Sequence, residues 1–141
     1  MEGRAVPIEF NGGSEDVGYR ISFDARSRVI TLRLRGFWDE AITGAFRKDF
    51  LAFWKAADRS RPYLVLADLS RYPTQRAPVQ QVHAELMSKG KAMGVVRSAN
   101  LVDATLTSMQ IRRLSEQSGL EVFSFFQDEQ AALAWLVGAN D

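Results

Sequence analysis

The stretch YLVLADL, residues 63 to 69, is an almost unbroken apolar run of strand length. A strand with one wet face alternates, whereas a continuous run is what a strand covered on both faces requires, and such strands lie inside parallel sheets. The residues on either side are spaced for helices. Upstream, from Asp39, the residues Ile42, Phe46, Phe50, Phe53, Trp54 and Ala57 recur at three- and four-residue steps until Arg61 and Pro62 end the pattern. Downstream, a helix starts near Pro78, turns Val79, Val82, Leu86 and Met87 inward, and stops at Gly90. Helix, strand and helix with short connections predict a crossover unit with YLVLADL as its central parallel strand.

Further out the same unit repeats. AMGVVRS (92 to 98) reads as a strand, and a helix from about Asp103 to Ser118 turns Leu106, Met109, Ile111 and Leu114 inward. LEVFSFF (120 to 126) reads as another strand, and Asp128 as the N-cap of a closing helix that buries Ala132, Trp135 and Leu136. On the N-terminal side, YRISFD (19 to 24) and VITLRLR (29 to 35) each alternate apolar with polar residues and form a hairpin around Ala25 to Arg28. The pattern predicts one α/β domain over residues 19 to 141: a mixed, mostly parallel sheet of about five strands, with an N-terminal hairpin and four flanking helices. Residues 1 to 18 carry Pro7, Gly12, Gly13 and Gly18 with no sustained period and read as a flexible tail.

The chain has 141 residues, enough for one core without metals or disulfides. Hydrophobic residues at 46% and charged residues at 25% fit a folded globular domain. Eighteen basic against seventeen acidic residues leave a net charge of +1, so no global field favours nucleic acid. The absence of cysteine excludes a disulfide framework, a Cys-ligated metal and a thiol nucleophile. No apolar run approaches the ~18 to 20 residues of a bilayer span, so no membrane insertion and a cytoplasmic location are expected. No cofactor motif and no catalytic constellation is present, and the protein is read as no enzyme.

The single histidine, His83, follows Val79 by four residues and precedes Leu86 by three, which puts it on the inward face of its helix as a packed histidine and not a general base. Arg20, Arg26, Arg28, Arg33 and Arg35 crowd the hairpin opposite Asp24 alone, either as an anion or docking patch or as a solvated strand face. Phe37 and Trp38 either offer an aromatic contact to a partner or, for Trp38, staple the helix that follows. The most informative segment is ADLSRYPTQRAP, 67 to 78, where the central strand hands over to its helix. Strand carboxyl ends and helix N-termini collect ligands and modifications, because unpaired backbone N–H groups point outward there. Asp68, Ser70, Arg71, Tyr72, Thr74, Gln75 and Arg76 are the candidate partner-binding residues, with the alternative that Asp68 and Ser70 only hydrogen-bond the turn.

In element order and in two stretches, VLADLS (65 to 70) and LVDATLTSMQIRRLSEQSGLEVFSFFQDEQAALAWL (101 to 136), the chain resembles the STAS family, the domain of bacterial anti-sigma factor antagonists, and most nearly its divergent SpoIIAA-like branch. The resemblance implies a regulatory module with a protein partner. In phosphorylatable members a strand ending Asp-Leu-Ser is followed by an Asp-Ser-Ser-Gly run whose second Ser accepts phosphate. Counted forward from Ser70, Thr74 takes the place of the first Ser and Gln75 that of the acceptor. Gln accepts no phosphate, so the resemblance implies a module without the usual switch, Thr74 and Ser70 being the only substitute acceptors nearby. The same architecture occurs in lipid-carrying CRAL-TRIO domains, which keeps a small apolar ligand as the alternative. Edge strands and the Phe37–Trp38 pair further offer surface for a homodimer.

Overall fold

The computed structural model describes residues 9–102, 109, 112, 113, 116 and 123–138. Its elements are β1 (Glu9–Gly13), β2 (Gly18–Asp24), β3 (Val29–Arg35), α1 (Glu40–Ala56), β4 (Tyr63–Arg71), α2 (Ala77–Ala92), β5 (Val95–Leu101), β6 (Phe123–Phe126) and α3 (Glu129–Gly138). The strands form one sheet in chain order, β1-β2-β3-β4-β5-β6. The pairs β1·β2 and β2·β3 are antiparallel, and the three that follow are parallel. The mixed sheet and its N-terminal hairpin are therefore as the sequence predicts, with β4 paired on both edges by parallel neighbours.

The strand count is six, not about five, because residues 9 to 13, expected to belong to a flexible tail, pair with β2 with Phe10 opposite Ile21. The glycines that suggested a tail are what this strand needs. Gly13 turns at φ +85°, and a side chain at Gly12 would collide with the Tyr19 ring. Residues 1 to 8, most of the helix expected over 103 to 118 and the first residues of the strand expected over 120 to 126 lie outside the described residues. Met109, Arg112, Arg113 and Glu116 are described and helical, but Met109, expected to face inward, is 55% exposed. Three helices have described bounds. None of these is long and apolar enough to cross a membrane.

Connections α1 and α2 both step in the same direction along the sheet, and two crossovers of one hand must then cover the same face. That face holds a ring-rich core of Tyr19, Phe23, Trp38, Phe46, Phe50, Phe53, Trp54, Tyr63 and Tyr72. On the opposite face, α3 lays Ala132 and Leu136 over Val29, Leu64, Leu66, Ala99 and Leu101, with Trp135 only partly buried. Helix starts follow local chemistry: the Asp39 carboxylate accepts the Ile42 N–H at 2.9 Å, and Asp128 accepts that of Ala131 at 3.1 Å.

Two boundaries move. Helix α2 continues through Gly90 to Ala92 and is stopped by Gly94 at φ +107°. Gly90 instead permits close packing, since a Cβ there would lie 3.3 Å from Val95 Cγ2. The next strand therefore starts at Val95, three residues later than expected, and runs past Ser98 to Leu101. Strand β4 extends two residues beyond Leu69, which shortens the connector to α2 to residues 72–76.

Candidate functional site

The seven candidate residues are divided between the interior and the surface. Asp68 and Ser70 belong to β4, and the Asp68 carboxylate accepts the Ser70 N–H at 3.2 Å and its hydroxyl at 2.7 Å, as the turn-binding reading has it. Its other oxygen takes Arg33 Nη1 at 2.9 Å, and Arg33 also meets both oxygens of Glu129 at 3.0 Å, joining β3, β4 and the first turn of α3. Burial raises the Asp68 pKa, but the Ser70 donors and the Arg33 guanidinium outweigh it and hold the carboxyl below its usual range.

Tyr72 and Gln75, expected to offer contact area to a partner, point inward. Tyr72 is 3% exposed, meets the Trp38 ring edge-to-face at 5.1 Å, and places its hydroxyl 2.7 Å from His83 Nε2. His83 is packed between the Trp38 and Phe46 rings, at 5.4 and 5.6 Å. Burial pushes its pKa down to about 4 and that of Tyr72 up, so both groups are neutral near pH 7. The Gln75 amide is a clamp on the β3–α1 connector. Its oxygen accepts the Trp38 N–H at 2.8 Å, and its nitrogen donates to the carbonyls of Gly36 at 3.0 Å and Pro73 at 2.9 Å. One amide thus satisfies the buried Trp38 N–H and two partly buried carbonyls that no regular element serves.

The clamp decides what remains outside. Trp38 is fully buried and staples α1 against Phe46, whereas Phe37 beside it is 53% exposed. The Arg76 guanidinium lies 6.0 Å over the Phe37 ring, with Nη2 3.4 Å from the Trp38 carbonyl. Ser70 and Arg71, at the end of β4, and Thr74, on the connector, are exposed, and the Arg71 carbonyl accepts the Gly36 N–H at 3.0 Å. The first turn of α2 carries no acidic residue. Its positive end and the two arginines give this surface a basic character. Phe37 was the residue the sequence left open; an aromatic wedged between a strand end and an N-cap was the available signal.

The hairpin arginines are mostly tied down. Arg20 pairs with Glu9, Arg35 donates to the Ser14 carbonyl, and Arg28 is buried over the Tyr63 ring at 4.1 Å while bonding Asp58 and the carbonyls of Arg61 and Pro62. Arg28 alone leaves the wet face, because the turn bends it inward at φ 66°, while Arg20 and Arg26 stay exposed. Among the described residues no three histidines or carboxylates converge to hold a metal.

No family model matches the sequence, and no curated protein matches it. Solved structures do. An uncharacterised protein of the DUF3478 family from Shewanella loihica, described as having a SpoIIAA-like fold, superposes with a TM-score of 0.65 at 18% identity, covering 89% of this chain and 99% of its own. An anti-sigma factor antagonist from Mycobacterium paratuberculosis superposes with a TM-score of 0.58 at 14% identity, covering 88% and 97%. The fold is SpoIIAA-like, as the resemblance implied.

Proposed function

We propose that this domain is a non-enzymatic regulatory module of the cytoplasm that docks a protein partner on the exposed half of the β4–α2 segment. Phe37, Thr74 and Arg76 form the centre, with Ser70 and Arg71 at the rim, while Asp68, Tyr72 and Gln75 hold that surface from behind. The observation that carries the reading is an aromatic ring 53% exposed, capped by a guanidinium and fixed by a buried amide clamp. Aromatic and arginine side chains on a rigid support are the usual anchors of interfaces, and the basic character favours an acidic partner surface. The fold shared with an anti-sigma factor antagonist supports the same reading.

Regulation by phosphate on the position of Gln75 is not part of this proposal. The side chain there is 4% exposed and fully committed to the backbone of the neighbouring connector. Self-association belongs to the proposal as a second use of exposed surface, with β1 as a sheet edge.

The test is site-specific photo-crosslinking in the native cell, with the crosslinker at position 37 or 74 and, as control, at Val137, exposed on α3. The expected result is one protein product from positions 37 and 74 and none from 137, its mass telling a foreign partner from a second copy. Crosslinks from 137 alone, or none from 37 and 74, refute the assignment.

A further inference from the structure

Beneath α1 and α2 the ring-rich core is not completely filled. A cavity of about 70 Å³ lies between the two helices and strands β3 to β5. Its described lining is apolar along Leu32, Phe46, Phe50 and Leu86, and carries the side chains of Tyr72, His83, Ser98 and Asn100 at its polar positions. Those polar groups have partners. Tyr72 and His83 share a hydrogen bond, and Asn100 Nδ2 donates to Ser98 Oγ at 3.4 Å and to the Ser124 carbonyl at 3.3 Å. Trp54, also in the lining, differs: the residue is 2% exposed, yet its Nε1–H has no acceptor among the described residues. The rings packed on it, Phe50, Phe53 and Tyr63, supply area without a lone pair for that hydrogen. A buried, unpartnered donor on a residue that lines empty space is an unfilled half of a contact.

We infer that this cavity binds a small, uncharged, mostly apolar molecule carrying one hydrogen-bond acceptor, which the Trp54 Nε1–H meets. Each part of that description has its own ground. The volume is about half of the ~150 Å³ that accommodates benzene, so the occupant has on the order of three to four heavy atoms, as in propanone or a short alcohol. No charged side chain is among the described lining residues, and an unpaired charge cannot be placed among them without prohibitive desolvation. The orphan group is a donor, so the ligand supplies the acceptor. This site goes beyond the docking surface proposed above and is separate from it, lying on the inner side of Tyr72.

The test uses the full chain labelled with ¹⁵N and follows the indole N–H signals of its three tryptophans, assigned by Trp→Phe variants, during titration with propanone. The expected result is a saturable downfield shift of the Trp54 signal with the Trp135 signal, on the opposite face, unmoved. Acetate, the charged analogue of the same size, leaves the Trp54 signal in place. Ala67→Leu, which fills the cavity, weakens the ketone effect at least tenfold; if that variant does not fold, Met87→Phe takes its place. A Trp54 signal that does not saturate at ketone concentrations that leave the chain folded, equal drift of the Trp54 and Trp135 signals, an equal response to acetate, or an undiminished response in the folded filled variant each overturns the inference.

Discussion

Under α1 and α2 the sheet is covered by rings: Trp38, Trp54, Tyr19, Tyr63, Phe46 and Phe53 are all buried there, most of them in tilted or edge-to-face pairs. Under α3 the buried members among the described residues are Val29, Leu64, Leu66, Ala99, Leu101, Ala132 and Leu136, none of which carries a ring. The first layer is thick enough to seal a neutral Tyr72–His83 pair inside it. The second is thin and is closed at its edge by the Arg33 guanidinium between Asp68 and Glu129. Burial of apolar area scales with side-chain size, so the fold's stability is concentrated on the side from which the candidate surface is also supported.

That contrast can be broken by mutation. Trp38→Ala should cost about 3 to 5 kcal/mol in chemical denaturation, whereas Leu136→Ala on the thin face should cost about 2 to 3 kcal/mol. An equal or reversed ranking would mean that the aromatic layer is not the main support. Next in size is a pH effect. His83 is held neutral in the folded state down to about pH 4, while in the unfolded chain it takes a proton below about 6.5. The unfolded state therefore binds more protons across this window, and stability is present above pH 6.5 and lost as the pH falls towards 4. The loss should be on the order of 2 kcal/mol between pH 7 and pH 5 and should be absent in His83→Gln. A parent protein equally stable at both pH values would place His83 in a wetter site than described. Smallest is Arg33→Met, expected to cost about 1 kcal/mol or less, because the ion pairs it joins are partly exposed. A larger loss would make the charged tether, and not the apolar contact of α3, the main closure of that face.

How much of this was legible depends on what each element owes to its own residues. The strand at 63 to 69 was readable because burial on both faces leaves a continuous apolar run, and β2 and β3 because one wet face leaves an alternation. Strand β1 was not readable, since Phe10 is its only large apolar residue and its pairing is imposed by β2 and by the turn at Gly13. The end of α2 was misplaced because a glycine in a last helical turn looks like a terminator, while the one that takes positive φ comes four residues later. In the site, position was legible and direction was not. A connector of five residues has no period, so nothing local says that Tyr72 turns towards His83 or Gln75 towards Trp38; both directions are set by partners distant in sequence. The exposed ring of Phe37 was undecided for the same reason.

The division of the segment 68 to 78 into a buried half that folds and an exposed half that binds is tested most directly by comparing Arg76→Ala with Gln75→Ala against the crosslinked partner, once purified. Arg76→Ala should raise the Kd about tenfold, a loss of about 1 to 2 kcal/mol, with the melting temperature unchanged. Gln75→Ala should lower the melting temperature, since it strands the buried Trp38 N–H and removes the partner of two partly buried carbonyls. An Arg76→Ala variant that binds as tightly as the parent would contradict the assignment of the exposed half as the docking surface.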